Sequence, residues 1–162
     1  MNGTEYKAGS EIAWYKVYPF FLFHMFMFGG SGFLMAYAGA DTPLVFLFLH
    51  GGFAILIYTV FYFAIFGADE VKWMFINAGL GALGIYTQID WLLSFFGKSA
   101  GDYSLARHFI PFLYYVLYTF LLRQALLDLG GAREDEGRRR LVENGYIGVS
   151  LAASAACFLL GK

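Results

Sequence analysis

The sequence is short of charge. Only 14% of its 162 residues are Asp, Glu, Lys or Arg, against about a quarter in an ordinary soluble domain. The shortage is uneven, because charged residues gather in 1–16, 68–72, 98–107 and 123–143 and are almost absent elsewhere. Cysteine is reduced to Cys157, which excludes a disulfide framework, a CxxC pair and a cysteine-built metal site. There is no HExxH, no GxSxG and no pair of catalytic aspartates, so no recognisable catalytic signature is present and no catalytic residue is assigned. No basic stripe interleaved with aromatics exists, the formal net charge is −1, and Arg138–Arg140 is too short a run for a nucleic-acid arm. Nucleic acid is therefore not an expected partner. The first apolar run also lacks the basic flank, short core and small-residue cleavage pattern of a signal peptide, and is expected to be retained as a helix. Asn2-Gly3-Thr4 matches a glycosylation sequon and is read as coincidence.

What is there is apolar and aromatic: 59% hydrophobic residues, with 19 Phe and 12 Tyr. Long apolar runs separated by short charged blocks are the pattern of a polytopic helical membrane protein. A spanning helix needs about 20 mostly apolar residues. Four runs meet that length, at 17–38, 44–67, 73–97 and 105–127. A fifth, 145–160, is apolar but falls just below the usual range, and is expected to span, with a half-inserted or surface segment as the alternative; 128–144 reads as a polar, solvated connector with room for some helix. The expected fold class is all-α: one transmembrane domain over 1–162, an integral membrane bundle of four long helices plus a short fifth.

Orientation follows the Lys and Arg residues beside the helix ends. Arg123, Arg133 and Arg138–Arg140 dominate, which makes the end of the fourth run cytoplasmic. Counting back through four helices places the N-terminus there too, in agreement with Lys7 and Lys16, and leaves Lys162 outside. Trp14, Tyr15, Tyr18, Trp73 and Trp91 lie near the expected ends, as interfacial anchors do. Compact loops and the lack of a targeting segment point to a bacterial inner membrane.

Lipid gives helices no hydrophobic reason to associate, so contacts rest on small residues that permit close approach. Gly29-Gly30-Ser31-Gly32, Gly51-Gly52, Gly79, Gly81, Gly84 and the small residues of 148–156 are expected to be packing surfaces. An unwound Gly29–Gly32 binding an ion through free carbonyls is the sharper alternative.

Ionisable groups at membrane depth normally face the bundle interior and pair with one another. Asp90 sits about 10 Å inside the third run at 1.5 Å per residue, and His50 and His108 fall at similar depth on the second and fourth. These three are expected to form one buried polar layer, with Asp90 held by His50, His108 or both. Asn77, Gly81, Gly84 and Gln88 share a stripe on the third run, which makes that helix the expected centre. His108, Tyr115, Thr119 and Arg123 repeat at helical spacing on the fourth. Asn77, Gln88, Tyr115, Thr119 and Arg123 thus mark a candidate polar path. The plainer readings are a structural Asp–His pair, Tyr115 and Thr119 as interhelical hydrogen-bond partners, Arg123 as a snorkelling residue, and His24 as a satisfied core histidine.

The best-fitting function is a subunit of a larger or homo-oligomeric membrane assembly, with lipid and other subunits or copies of itself as partners. The alternative is a small channel or carrier moving protons, ions or a small solute along the third and fourth helices. An intramembrane enzyme ranks last. No cofactor or metal is assigned. His50 and His108 are the candidates for haem ligation, although the paired or fourfold histidine pattern of haem bundles is missing. Asp90 with the two histidines is the candidate metal donor set. A quinone or carotenoid pocket among the Phe and Tyr residues rests on aromatic abundance alone.

Overall fold

A computed structural model of the chain describes residues 13–38 and 42–161. Lys7, Asn2-Gly3-Thr4, Asp41, Lys162 and the side chain of Trp14 lie outside the described residues. The described residues form helices and turns: α1 (Trp14–Tyr37), α2 (Leu44–Phe66), the short α3 (Ala68–Val71), α4 (Met74–Gly84), α5 (Asp90–Ser94), α6 (Leu105–Leu129) and α7 (Glu136–Leu160). A π-turn over Ile85–Ile89 joins α4 to α5, and a 3₁₀ turn over Ala100–Asp102 precedes α6. α1, α2, α6 and α7 are each long and apolar enough to cross a membrane.

Successive passes, α1, α2, α4–α5, α6 and α7, alternate in direction. Near the start of α1, the Tyr18 hydroxyl donates to Asp128 Oδ2 near the end of α6, at 2.6 Å. The basal end thus collects the start of α1, α3 and the α6–α7 turn. The distal end collects the α1–α2 loop and the segment between α5 and α6. α1 is helical straight through Gly29–Gly32, so the unwound ion site expected as an alternative there is not formed.

Two expectations need correction. α7 begins at Glu136, not near 145, and at 25 residues it is as long as α6. The Asp135 side chain caps it by accepting from Arg138 N at 3.0 Å, supplying one of the donors that a helix start leaves open. Ion pairs one turn apart, Glu136 with Arg140 and Arg139 with Glu143, then support its polar first turns. The supposed connector is mostly helix.

The second correction concerns the centre of the bundle, which is α6 and not the third run. About 61% of the α6 apolar window is buried, against 22% for α1 and α2 and 11% for α7. α6 packs on α1, α2, α4 and α7, and its buried residues lie on nearly every side, as in a helix enclosed by others. The third run stays helical from Met74 to Ser94 but passes through a π-turn. A π-turn holds one residue more than a regular turn, and such turns interrupt otherwise continuous helices.

Glycines set how close the neighbours of α6 come. A methyl added at Gly51 would stand 2.4 Å from Ile110 Cγ2, and one at Gly32 3.0 Å from the Tyr114 ring. Ile110 is β-branched and 1% exposed, so it has little freedom to yield. Gly51→Ala is therefore expected to cost about 1–3 kcal/mol by overpacking. Gly79, with nothing within 4 Å of an added methyl, is expected to gain about 0.5–1 kcal/mol as Ala. Thermal unfolding in one detergent measures both, and equal shifts would refute the α2–α6 contact.

Candidate functional site: polar knots at the two ends of the bundle

At the distal end, Asp90 does not meet a histidine. Its Oδ1 accepts from Ser99 Oγ at 2.9 Å and from Ala100 N at 2.7 Å. His108 is buried and engages the same residue from the other side, through Nε2 and the Ala100 carbonyl oxygen at 3.0 Å. A carbonyl only accepts, so Nε2 carries the hydrogen, and Nδ1 accepts from the Tyr37 hydroxyl at 2.7 Å. The Tyr37 carbonyl in turn accepts from Lys98 Nζ at 2.9 Å and the Tyr103 hydroxyl at 2.7 Å. Arg107 donates to the Thr42 carbonyl at 3.0 Å. These contacts tie the loop between α5 and α6 down onto the end of α1.

His50 takes no part. It is exposed, with its ring stacked on Phe46 at 6.2 Å between centroids and 6.4 Å from Phe28. The inward stripe of α2 is Leu47, Gly51, Ala54, Ile55, Tyr58 and Tyr62, and His50 falls outside it. The expected layer of His50, Asp90 and His108 is thus not brought together. That all three fall toward one end of the bundle was legible from the sequence, but the direction each side chain faces around its helix was not. His50 and His108 are likewise not placed as a ligand pair, since both ring nitrogens of His108 are already engaged. Among the described residues, no group of three or more His, Cys, Asp and Glu is arranged to hold a metal ion.

The candidate polar path is a set of local ties. Asn77 accepts from the Tyr146 hydroxyl of α7 at 2.9 Å, and Gln88 Nε2 donates to Ser154 Oγ of α7 at 3.2 Å. Thr119 Oγ1 donates to the Tyr115 carbonyl at 2.7 Å. A methyl at Gly81 or Gly84 would come within 3.1 Å of the Tyr115 ring, so that ring covers the glycine face of α4.

Arg123 is the residue that sequence reasoning misjudged most. It does not snorkel, for its side chain is 0% exposed. Nη1 donates to Glu70 Oε2 of α3 at 2.7 Å, and Nη2 to Glu143 of α7. Its guanidinium lies 4.1 Å over the Trp73 ring, a favourable cation–π placement. Trp73 is thereby tied to the cluster, beyond any anchoring role. Arg139 of α7 also reaches Glu70 and Glu143. Gln124 donates to Glu70 Oε2 at 3.0 Å and accepts from Arg133 Nη1 at 3.1 Å. Arg133 then pairs with Asp128 and donates to the Tyr18 hydroxyl at 3.1 Å.

One continuous network therefore joins α1, α3, α6 and α7 at the basal end. Three guanidiniums, of Arg123, Arg133 and Arg139, face three carboxylates, of Glu70, Asp128 and Glu143. The cluster is neutral as a whole, which suits a structural clamp better than a site awaiting a charged ligand. A usable signal was present in the sequence: Arg123 inside an apolar run, with acidic residues in the charged blocks on both sides.

No protein-family model, no curated protein and no solved structure matches this chain. Its chemistry is read from these residues alone.

Burial works against the charge on Glu70, but hydrogen bonds from Arg123, Gln124 and Arg139 outweigh it and hold its pKa down at about 2. A depressed carboxyl pKa stabilises the fold above the unfolded value, and that contribution is lost as pH falls through the folded value. Glu70→Gln should therefore lower the melting temperature most above about pH 5. The gap to the wild type should close as pH falls toward 2. Melting curves across that range check the sign, and a constant gap would refute it.

Asp90 and His108 act on the two backbone groups of Ala100, so their effects on stability should be coupled. The double substitution to Ala is expected to depart from additivity by about 0.5–3 kcal/mol, whereas Asp90→Ala with His50→Ala should add within about 0.5 kcal/mol. Chemical unfolding of the three single and two double variants measures both cycles.

Proposed function

We propose that this chain is an integral membrane subunit that associates through the outer face of α7, in the simplest case with a second copy of itself. The supporting observation is what α7 leaves uncovered. Tyr146 and Ser154 face the bundle and are buried. Gly145, Gly148, Ala152 and Ala156 form an exposed ridge on the other side. A methyl added at Gly145 or Gly148 would meet nothing within 4 Å. Small residues in a membrane helix allow another helix to approach closely, and no helix among the described residues uses these. The polar residues that would serve a carrier are engaged in ties to α7 or within α6, which favours assembly over transport.

The N-terminus lies on the cytoplasmic side in this reading. Lys72, Arg133 and Arg138–Arg140 belong to the basal connections and the first turns of α7, where the excess of positive charge marks the cytoplasm. The compact connections suit a bacterial inner membrane. A reporter fused after residue 140 should read cytoplasmic. Light scattering in mild detergent should find more than one copy per particle, and Gly148→Leu combined with Ala152→Leu should leave one copy with its melting temperature intact. A single copy in the wild type, or an unchanged particle in the variant, would refute self-association through α7.

A further inference from the structure

Between α1 and α2 runs an outward-opening groove of about 770 Å³, within the size range of small-molecule sites. Its walls include Phe20, Phe28, Phe46 and Phe53, with His24 and His50 set among them. The His24 ring lies 4.2 Å from that of Phe20, and the His50 ring is near-parallel to that of Phe46. Among the described residues, neither imidazole has a hydrogen-bond partner.

On the membrane placement proposed above, which this inference rests on, both imidazoles lie at hydrocarbon depth. His24 is about 15 Å into α1, and His50 about 9 Å into α2 from the opposite end. An N–H held there without an acceptor is costly. Acyl chains would fill the groove yet offer no acceptor. The small-residue ridge of a second α7 would offer Gly and Ala, which carry no acceptor side chain. The groove therefore calls for a lipophilic molecule that brings its own.

The spacing narrows the class. The Phe28 ring lies 6.4 Å from both His50 and Tyr58, so residue 28 of α1 is level with the stretch of α2 between them. His24, one turn back toward the start of α1, comes level with Tyr58. The levels of the two histidines then differ by eight residues of α2, about 12 Å along the helix axis. Metal–imidazole bonds of about 2 Å each are far too short for one ion to be held by both. Two carbonyl oxygens about 5 Å apart across a six-membered ring, each accepting a hydrogen bond of about 2.9 Å, reach about 11 Å.

We propose that this groove binds the head group of a lipid-soluble quinone. One carbonyl accepts from His24 and the other from His50. The ring packs between the phenyl walls, where aromatic faces stack favourably. The tail leaves along the open side of the groove into lipid.

The test uses the full-length protein in detergent and decylubiquinone as the probe, with titration calorimetry. Saturable binding at one per chain is expected. His24→Ala and His50→Ala should each weaken it about tenfold, the effect of one lost hydrogen bond. His24→Gln and His50→Gln, which keep an N–H donor, should stay within about threefold of the wild type. Infrared difference spectra with ¹³C-labelled carbonyls should show both stretches lowered on binding, one restored by each Ala variant. Melting temperatures confirm that the variants are folded, and if one is not, its Gln counterpart and the infrared shifts decide. Absence of saturable binding would overturn the proposal, as would indifference to both Ala changes, Gln variants as weak as Ala, or unshifted carbonyl stretches. Binding in detergent is independent of the reporter fusion that tests membrane placement, so either can fail alone.

Discussion

A guanidinium with no exposed surface, six residues from the end of an apolar helix, dictates the basal half of this bundle. Removing such a charge from water is expensive unless it is paired and hydrogen-bonded. Arg123 therefore needs carboxylates from elements that α6 does not itself contain. α3 supplies one. It is a four-residue helix that turns off from α2 at Gly67, whose φ of +82° suits glycine, and it carries Glu70 to the cluster. α7 supplies the other, and its polar first turns bring Glu143 and Arg139 to the same point. A short helix and the early start of a long one are both explained by the demand of a single side chain.

Much of the helix layout was legible in the sequence, and the failures have two causes. Run lengths and the charged blocks between them gave the four earliest helical passes to within a few residues, because apolar length is a one-dimensional property. The start of α7 was also legible in principle: Asp135 as cap and the pairs Glu136–Arg140 and Arg139–Glu143 at helical spacing. High polarity points the other way, toward a solvated connector, and masks that spacing. The end of the bundle was equally readable, and Asp90, His50 and His108 do lie toward the distal one. Direction around a helix axis was not readable. His50 sits one residue from Gly51, which faces α6, and that single residue turns it outward. For Asp90 the π-turn at Ile85–Ile89 adds a further offset that no apolar periodicity announced.

The two ends are built differently from the middle. Each end is a knot of hydrogen bonds reaching several elements, ionic at the base and centred on Tyr37, His108 and Ala100 at the distal side. Between them, contact comes mainly from ring against glycine and ring against ring: Tyr114 on Gly32, Tyr115 on Gly84, Tyr62 on Phe120. Interhelical polar ties there run to α7, from Asn77 and Gln88. An ionisable residue within an apolar helical run invites a functional reading. Here Arg123, Asp90 and His108 fasten helices and loops, and the two imidazoles left without partners lie on the outer face of α1 and α2.

The central position of α6 has a consequence for the order in which the structure can be made. Chains emerge N-terminus first, and α6 follows α1, α2 and α4 in the sequence while serving as the surface on which all three pack. Until it appears, Gly32, Gly51 and Gly84 have nothing to close upon, and Glu70 waits without its guanidinium. When Arg123 arrives, Glu143 has still to be synthesised, so the clamp closes in two stages. For most of its synthesis the chain is a set of apolar helices without their common partner, and the interval before residue 123 is when it most needs protection from the wrong neighbours.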